Sequence, residues 1–352
     1  MRNLVAGFLV VGMTSGLLAA CGEVDEGTDS AESEEEETGE SNQSSSDGEE
    51  ENYNIATATS AGIYYALGNG LGQLWSDEID GVTADAQSTA GSPQNINYLH
   101  SDDAQIGIVQ NGVALQAWEG TGDFEEPMQD MRAFSYLYPN LAYFVVRADS
   151  GIETLQDLEG TEVAPGPVGS GTEVNAREIL EEAGIYYENE ENASPNYMDN
   201  AESATALVDN HVDMTYIAGG IPHASVTEMT TSIDVNILPV EGEVQERVIE
   251  EYEWYFDHTI PGGTYDGLDD DIESVAVANM LIGQADTPDD VVYDMLDTMY
   301  ENTDRLKSNF EGASEFTPED GMDGVTIPLH PGAVEYFEDQ GVEVPEELIP
   351  ED

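Results

Sequence analysis

Basic residues are almost missing from this chain: lysine and arginine together number 7 against 75 acidic residues, a formal net charge of −68 over 352 residues. Lys307 is the sole lysine. A polyanion of this strength is repelled by phosphate backbones, which excludes nucleic acid as a partner. Cysteine is limited to Cys21, so no disulfide and no Cys-based metal site is available. The longest apolar run, Leu4 to Leu18, falls short of the about 20 residues a membrane span needs. Asp269-Asp270-Asp271 lacks the spacing of a calcium loop, and no cofactor motif is present, so no cofactor is expected. Such a charge strains a compact fold at ordinary ionic strength, whereas near 1 M salt the Debye length falls to roughly 3 Å and the strain is screened. The composition fits an exported protein of a salt-loving organism.

The N-terminus supports export. Met1-Arg2-Asn3 is cationic, the apolar run follows, and it ends in Leu18-Ala19-Ala20-Cys21-Gly22, a bacterial lipobox. Residues 1–20 are expected to be a signal peptide and Cys21 to carry lipid as the mature N-terminus. Residues 21–52, rich in Glu, Asp, Ser and Gly, bury too little to offset their chain entropy and read as a disordered acidic tether.

From Tyr53 onward the patterning changes. Tyr53 to Thr59 predicts a strand, and Ile63, Leu67, Leu71 and Leu74 share one face of a helix. Val82 to Gln87 predicts a second strand, Ser92 an N-cap with Pro93 in the first turn, and Ala104 to Gln110 a third strand. Strand, helix, strand, helix, strand argues for α/β architecture with parallel pairing, and ligands then sit at the carboxyl ends of the strands.

Those ends carry small-residue turns: Ser60-Ala61-Gly62-Ile63-Tyr64-Tyr65, then Ser88-Thr89-Ala90-Gly91-Ser92 with Asn95, with Gln110 closing the third strand. Gly169-Ser170-Gly171-Thr172 opens a later helix in the same way, one that buries Val174, Ile179 and Leu180 and ends at Gly184. Turns of this kind collect unpaired N–H groups and hydroxyls at helix N-termini, which suits a carboxylate. An ordinary strand-to-helix turn is the alternative at each, and Tyr64 and Tyr65 suit either a ligand cover or the core. Tyr216 and Gly219, at another Gly-rich strand end, complete the candidate wall.

Catalysis finds little support. Ser170 is not set in a Gly-x-Ser-x-Gly elbow, and His100, His211, His223, His258 and His330 lie in no recognisable partner motif. Arg147 is a weak candidate for a carboxylate, Arg177 reads as surface, and His330 suits packing or capping ahead of a final helix with Tyr336 and Phe337. Leu141 to Arg147 predicts a buried strand, Asp149 to Leu158 a short helix and Val275 to Leu281 another strand. Thr287 is expected to cap a long helix buried through Val292, Met295, Met299, Leu306 and Phe310.

The turns at Ser60–Tyr65 and Ser88–Ser92 resemble the TAXI family, the extracytoplasmic receptors of tripartite ATP-independent periplasmic (TRAP) transporters. So do Ala104–Gln110, Gly169–Thr172, Ile260-Pro261-Gly262-Gly263-Thr264-Tyr265 and His330-Pro331-Gly332-Ala333, in order over residues 53–341. Ala90 stands where the family commonly has a second glycine. The resemblance implies a two-lobed periplasmic-binding-protein fold of type II with two crossing strands at the hinge. Its first lobe would hold residues 53–141 and 260–352 and its second 142–259. It further implies capture of a small organic acid or amino acid for an ion-driven TRAP permease, with main-chain donors and hydroxyls as ligands and no bond made or broken. A lipid-anchored sensor of the same fold, serving a signalling partner, is the alternative function; an acidic surface or matrix protein would explain the lipobox and charge but not the glycine-rich strand ends.

Overall fold

The computed structural model describes residues 51–350 apart from Ala61; the signal segment, Cys21 and nearly all of the acidic tether lie outside the described residues. The first lobe opens with β1 (Glu51–Ala56), α1 (Ile63–Glu78), β2 (Val82–Gln87), α2 (Ser92–His100), β3 (Ile106–Gln110) and α3 (Asn111–Glu119). Glu51 and Asn52 pair with Val82 and Thr83, so the expected tether ends two residues early. Strands β1, β2 and β3 are parallel, as the alternation with helices requires.

A 17-residue strand, β4 (Met131–Arg147), then carries the chain into the second lobe. The sequence showed only its last seven residues, because Pro139 reads as a break. It is tolerated because it lies opposite Ala278, whose N–H turns away to the Asn111 side chain at 3.2 Å, and beyond Gly219, where the neighbouring strand stops. The second lobe contains β5 (Glu162–Ala164), α4 (Gly171–Glu182), β6 (Ser194–Pro195), α5 (Asn200–Val208), β7 (Met214–Gly219), α6 (Ala224–Ser232), β8 (Val235–Leu238), α7 (Gly242–Glu251) and β9 (Phe256–Ile260). The expected helix over Asp149 to Leu158 contracts to a 3-10 turn at Leu155–Leu158, closed by a capping box between Thr154 and Asp157.

The return runs through β10 (Ile272–Gln284), antiparallel to β4 from Ala276↔Leu141 to Gln284↔Met131. Ile260, Tyr265 and Ile272 pack in the second lobe, so the chain goes back later than the expected residue 260. α8 (Asp289–Glu301), α9 (Thr303–Leu306) and α10 (Pro331–Asp339) finish the first lobe. Two caps move: Pro288, not Thr287, precedes α8, with the Thr287 hydroxyl bonded to Gln284 O, and Gly91, not Ser92, precedes α2. The expected long helix ends at Asn302, which leaves helical angles while its amide bonds back to Thr298 O.

The sheet order β2-β1-β3-β10-β4-β7-β5-β6 spans both lobes, with β8 on β4 and β9 on β10. In the second lobe Leu141, Tyr143 and Val145 enter one apolar cluster while Ala142, Phe144 and Val146 enter another. Both faces of β4 are covered there, which explains an apolar run without alternation. β4 and β10 are the two crossing strands.

Candidate functional site

The N-termini of α1, α2, α4 and α5 line one cavity of about 70 Å³ between the lobes, with the N-cap residues of α3 and α6 beside them. The opening N–H groups of a helix have no partners within it and form its positive end. A cavity needs roughly 10–15 Å³ on this measure to hold one water, so this one holds several waters or a small metabolite. The first-lobe wall includes Gly62, Tyr64, Gly91, Ser92 and Gln110; the second-lobe wall includes Ser170, Gly171, Thr172 and Gly219. Nine of the residues singled out in sequence therefore meet at one place.

Each of the two facing turns is built to be narrow. Gly91 has φ 121°, a left-handed conformation that suits glycine, and a Cβ on it would stand 3.7 Å from Gly171 N and Ser170 Cα. A Cβ on Gly171 would meet Gln110 Oε1 at 2.3 Å and Ser92 Oγ at 3.0 Å. The lobes thus approach closely at these two glycines, and a side chain at residue 171 would press on Gln110 and Ser92.

Hydroxyls divide into those that build the turns and those that are left over. Ser170 Oγ accepts from Glu173 N at 3.1 Å and donates to Pro167 O at 2.7 Å, so its hydroxyl is consumed by the cap of α4. Gly171 and Thr172, at the start of that helix, supply the free N–H groups. Ser92 Oγ accepts from Gln110 N at 3.1 Å, keeping its own proton to donate. Tyr64 donates to Asn279 Oδ1, and burial pushes its phenol well above the ordinary tyrosine range. Gln110 Oε1 is buried with no partner among the described residues.

Seven expected residues do not line the cavity. Asn95 is fully buried and donates to Thr57 O at 2.6 Å and Ile108 O at 2.7 Å, clamping α2 to the ends of β1 and β3. Thr89 bonds Asn95 and Thr57 O, fixing the turn that presents Gly91. Ser88 is exposed and bonds Ala58 O; Ser60 and Gly169 are exposed, the latter at φ 74°; Tyr65 is half-buried. Tyr216 is a core residue, its ring 4.7 Å from Phe144 and its phenol raised by burial. The alternation of β7 decides this: Tyr216 faces α4 and the core, whereas the strand end at Gly219 reaches the cleft.

Sequence reasoning missed Thr59, Tyr138, Asn140, Asp199 and His223, all in the lining. Asp199 is the only acidic residue among the described residues of the lining. Its Oδ1 caps α5 by accepting from Ala201 and Glu202 N–H at 3.0 and 2.9 Å. Asp followed by Asn-Ala-Glu is a cap signature, which is the signal that would have drawn attention to it. The arginines lie elsewhere: Arg147 pairs with Asp149, and Arg177 with Asp123 and Glu188. His330 is fully buried and caps α10 through Gly332 N, as its two expected roles require. Among the described residues no group of three His, Cys, Asp or Glu is placed to hold a metal ion.

A second contact between lobes lies away from the cavity. Gln116 of α3 donates to Glu178 Oε1 of α4 at 2.8 Å, and Tyr255 donates to its Oε2 at 2.7 Å. Burial pushes the Glu178 carboxyl up to about 7 despite these donors. Asn111 reaches Trp254 O at 3.3 Å, and Gly112 lies so close to the Trp254 ring that a Cβ would meet it at 2.4 Å.

A family model described as the NMT1-like family matches residues 55–341. Among solved structures, the periplasmic binding protein BugD aligns with a TM-score of 0.51 at 15% identity, covering 83% of this chain and 98% of that one. The alkanesulfonate-binding protein SsuA from Xanthomonas axonopodis pv. citri, bound to MOPS, aligns at 0.48 and 16% identity over 82% and 84%. The likeness to BugD is one of fold: this chain has the periplasmic-binding-protein architecture.

Proposed function

The chain belongs to the NMT1-like family, and on that footing we propose that it is an extracytoplasmic solute-binding receptor of a TRAP transporter, of the TAXI type. It captures a small carboxylate-bearing metabolite, a glutamate-like amino acid, a dicarboxylate or a keto acid, and delivers it to an ion-driven permease. The observation that carries this reading is the convergence of the N-termini of α1, α2, α4 and α5 on a small cavity with no lysine or arginine among the described residues of its lining. Oriented N–H groups at helix ends stabilise a carboxylate without a counter-ion, and a cavity closed from water strengthens each bond. Gly62, Tyr64, Gly91, Ser92, Gln110, Gly171, Thr172 and Gly219 are the proposed ligand contacts. Ser60, Tyr65, Ser88, Thr89, Asn95, Gly169, Ser170 and Tyr216 shape or flank the wall.

Capture and release then follow from hinge motion about β4 and β10. The ligand bridges two sets of donors that belong to different lobes, so bound ligand favours the closed form and dissociates as the lobes part. Lipidation of Cys21 and the acidic tether would keep the receptor beside the membrane and its permease.

The test is thermal unfolding of the purified protein in about 1 M salt, where charge repulsion is screened, against dicarboxylates, keto acids and amino acids. A true ligand at 100-fold excess over its Kd adds about 2.7 kcal/mol of stability. A raised midpoint with one chemical class names the solute. A folded protein unmoved by every member of the panel refutes the carboxylate reading.

A further inference from the structure

His223 stands out among the lining residues because both of its ring nitrogens can be accounted for. It is 7% exposed and is the N-cap of α6, where Nδ1 accepts a hydrogen bond from Ser225 N at 3.2 Å. A nitrogen that accepts carries no proton, so in the neutral ring the proton sits on Nε2. Nε2 has no protein partner among the described residues, while the ring lines the cavity beside Gly219, where a Cβ would stand 2.9 Å from Nε2. The backbone of His223 is also fixed, its N–H donating to the Tyr265 hydroxyl at 2.8 Å.

From this geometry we infer that His223 is a specificity-determining ligand contact: a single N–H donor of fixed tautomer, presented by the second lobe to a second acceptor group of the ligand. The inference rests on the carboxylate-receptor reading and deepens it. The helix N-termini recognise one carboxylate, and His223 requires that the solute bear another carbonyl, hydroxyl or carboxyl oxygen. Burial pushes the imidazole down to about 4, so it stays neutral at pH 7 and adds no charge to the cavity. A buried donor left unpaired is costly, which is why a solute lacking the second acceptor would be rejected.

The experiment compares ligands of matched carbon skeleton in wild type and His223→Asn. Asparagine is a good N-cap and keeps α6 started, but its side chain is too short to place a donor where Nε2 lies. The probes are succinate against butyrate and L-glutamate against L-norvaline, each pair differing by one acceptor group, titrated by calorimetry in about 1 M salt. The expected result is that wild type prefers the two-acceptor member of at least one pair and that His223→Asn reduces this preference tenfold or more. A purely structural histidine would weaken both members equally. An unchanged preference in a folded variant overturns the assignment of His223, whereas wild type binding none of the four probes overturns the receptor reading on which it rests.

Discussion

Two of the places where the lobes meet are of opposite construction. At the cavity the contact runs through glycine: Gly91 faces Ser170 and Gly171, and Gly171 in turn faces the Gln110 and Ser92 side chains. At the outer contact it is side chain against side chain, with Gln116, Tyr255 and Trp254 gathered on the Glu178 carboxyl. On the proposed hinge motion, the first contact would fix how far the lobes close, because glycine sets the gap, and the second how readily they close, because a carboxyl that must be buried resists when ionised. Geometry and equilibrium are thus assigned to different residues.

Breaking the first contact gives the largest expected effect. Gly171→Val places branched carbons against Gln110 and Ser92 at the first turn of α4, where valine is sterically acceptable to the helix itself. Ligand affinity falls by at least 100-fold while the thermal midpoint of the ligand-free protein changes little; calorimetry and solution scattering of the open form check both halves.

The second contact predicts a pH dependence. Burial pushes the Glu178 carboxyl up to about 7 in the closed form; parted lobes would admit water to it and so lower that value, while Tyr255 of the same lobe stays in place. Closure would therefore take up a proton. Affinity is expected to be higher on the acidic side of pH 7, to fall as the pH rises through it, and to level off above, where both forms are ionised. Glu178→Gln flattens the profile. The groups around it, Arg177, Tyr252 and Tyr255, do not produce it: Tyr255 is raised far above this window and Arg177 remains charged throughout. Calorimetry across this pH range at fixed salt measures the slope.

Asp199 sharpens the chemistry of the cavity. Asp199→Asn preserves the cap of α5 but removes the one acidic side chain among the described residues of the lining, so dicarboxylates gain on amino acids by several-fold. Competition between succinate and L-glutamate for the same site reads the ratio. The smallest effect belongs to Asp123→Asn. It breaks the ion pair with Arg177 across the lobes at 3.2 Å, but an exposed pair is worth about 0–1 kcal/mol and less in high salt. Affinity then moves by less than about threefold.

Much of the site was legible because helix starts announce themselves. Gly62, Gly91 and Ser170 each sit where a strand gives way to an apolar-periodic run, and local chemistry alone makes such positions donors. Thr89 and Asn95 were read as ligand contacts for the same reason, yet tertiary structure spends their polar groups on Thr57 O and Ile108 O. His223 and Asp199 could not be placed from the chain order. They cap helices whose starts reach the cavity only because β7 and α5 fold back beside the α4 turn. α3, α6 and β9 escaped notice because short apolar segments such as Val113 to Ala117 carry too little periodicity to mark an element.

What the sequence determined by itself is what depends on neighbours along the chain: the α/β alternation, the glycine-rich helix starts, the acidic surface and the scarcity of cations. Tertiary structure decided what depends on distance across the lobes. It selected which of many hydroxyls remain free, brought Gly91 against Gly171, buried Glu178 under the Gln116 amide and set His223 in the cavity lining. Hydrogen-bond donors are local properties, but whether a donor is already occupied is settled only when two lobes, joined by two crossing strands, are brought face to face.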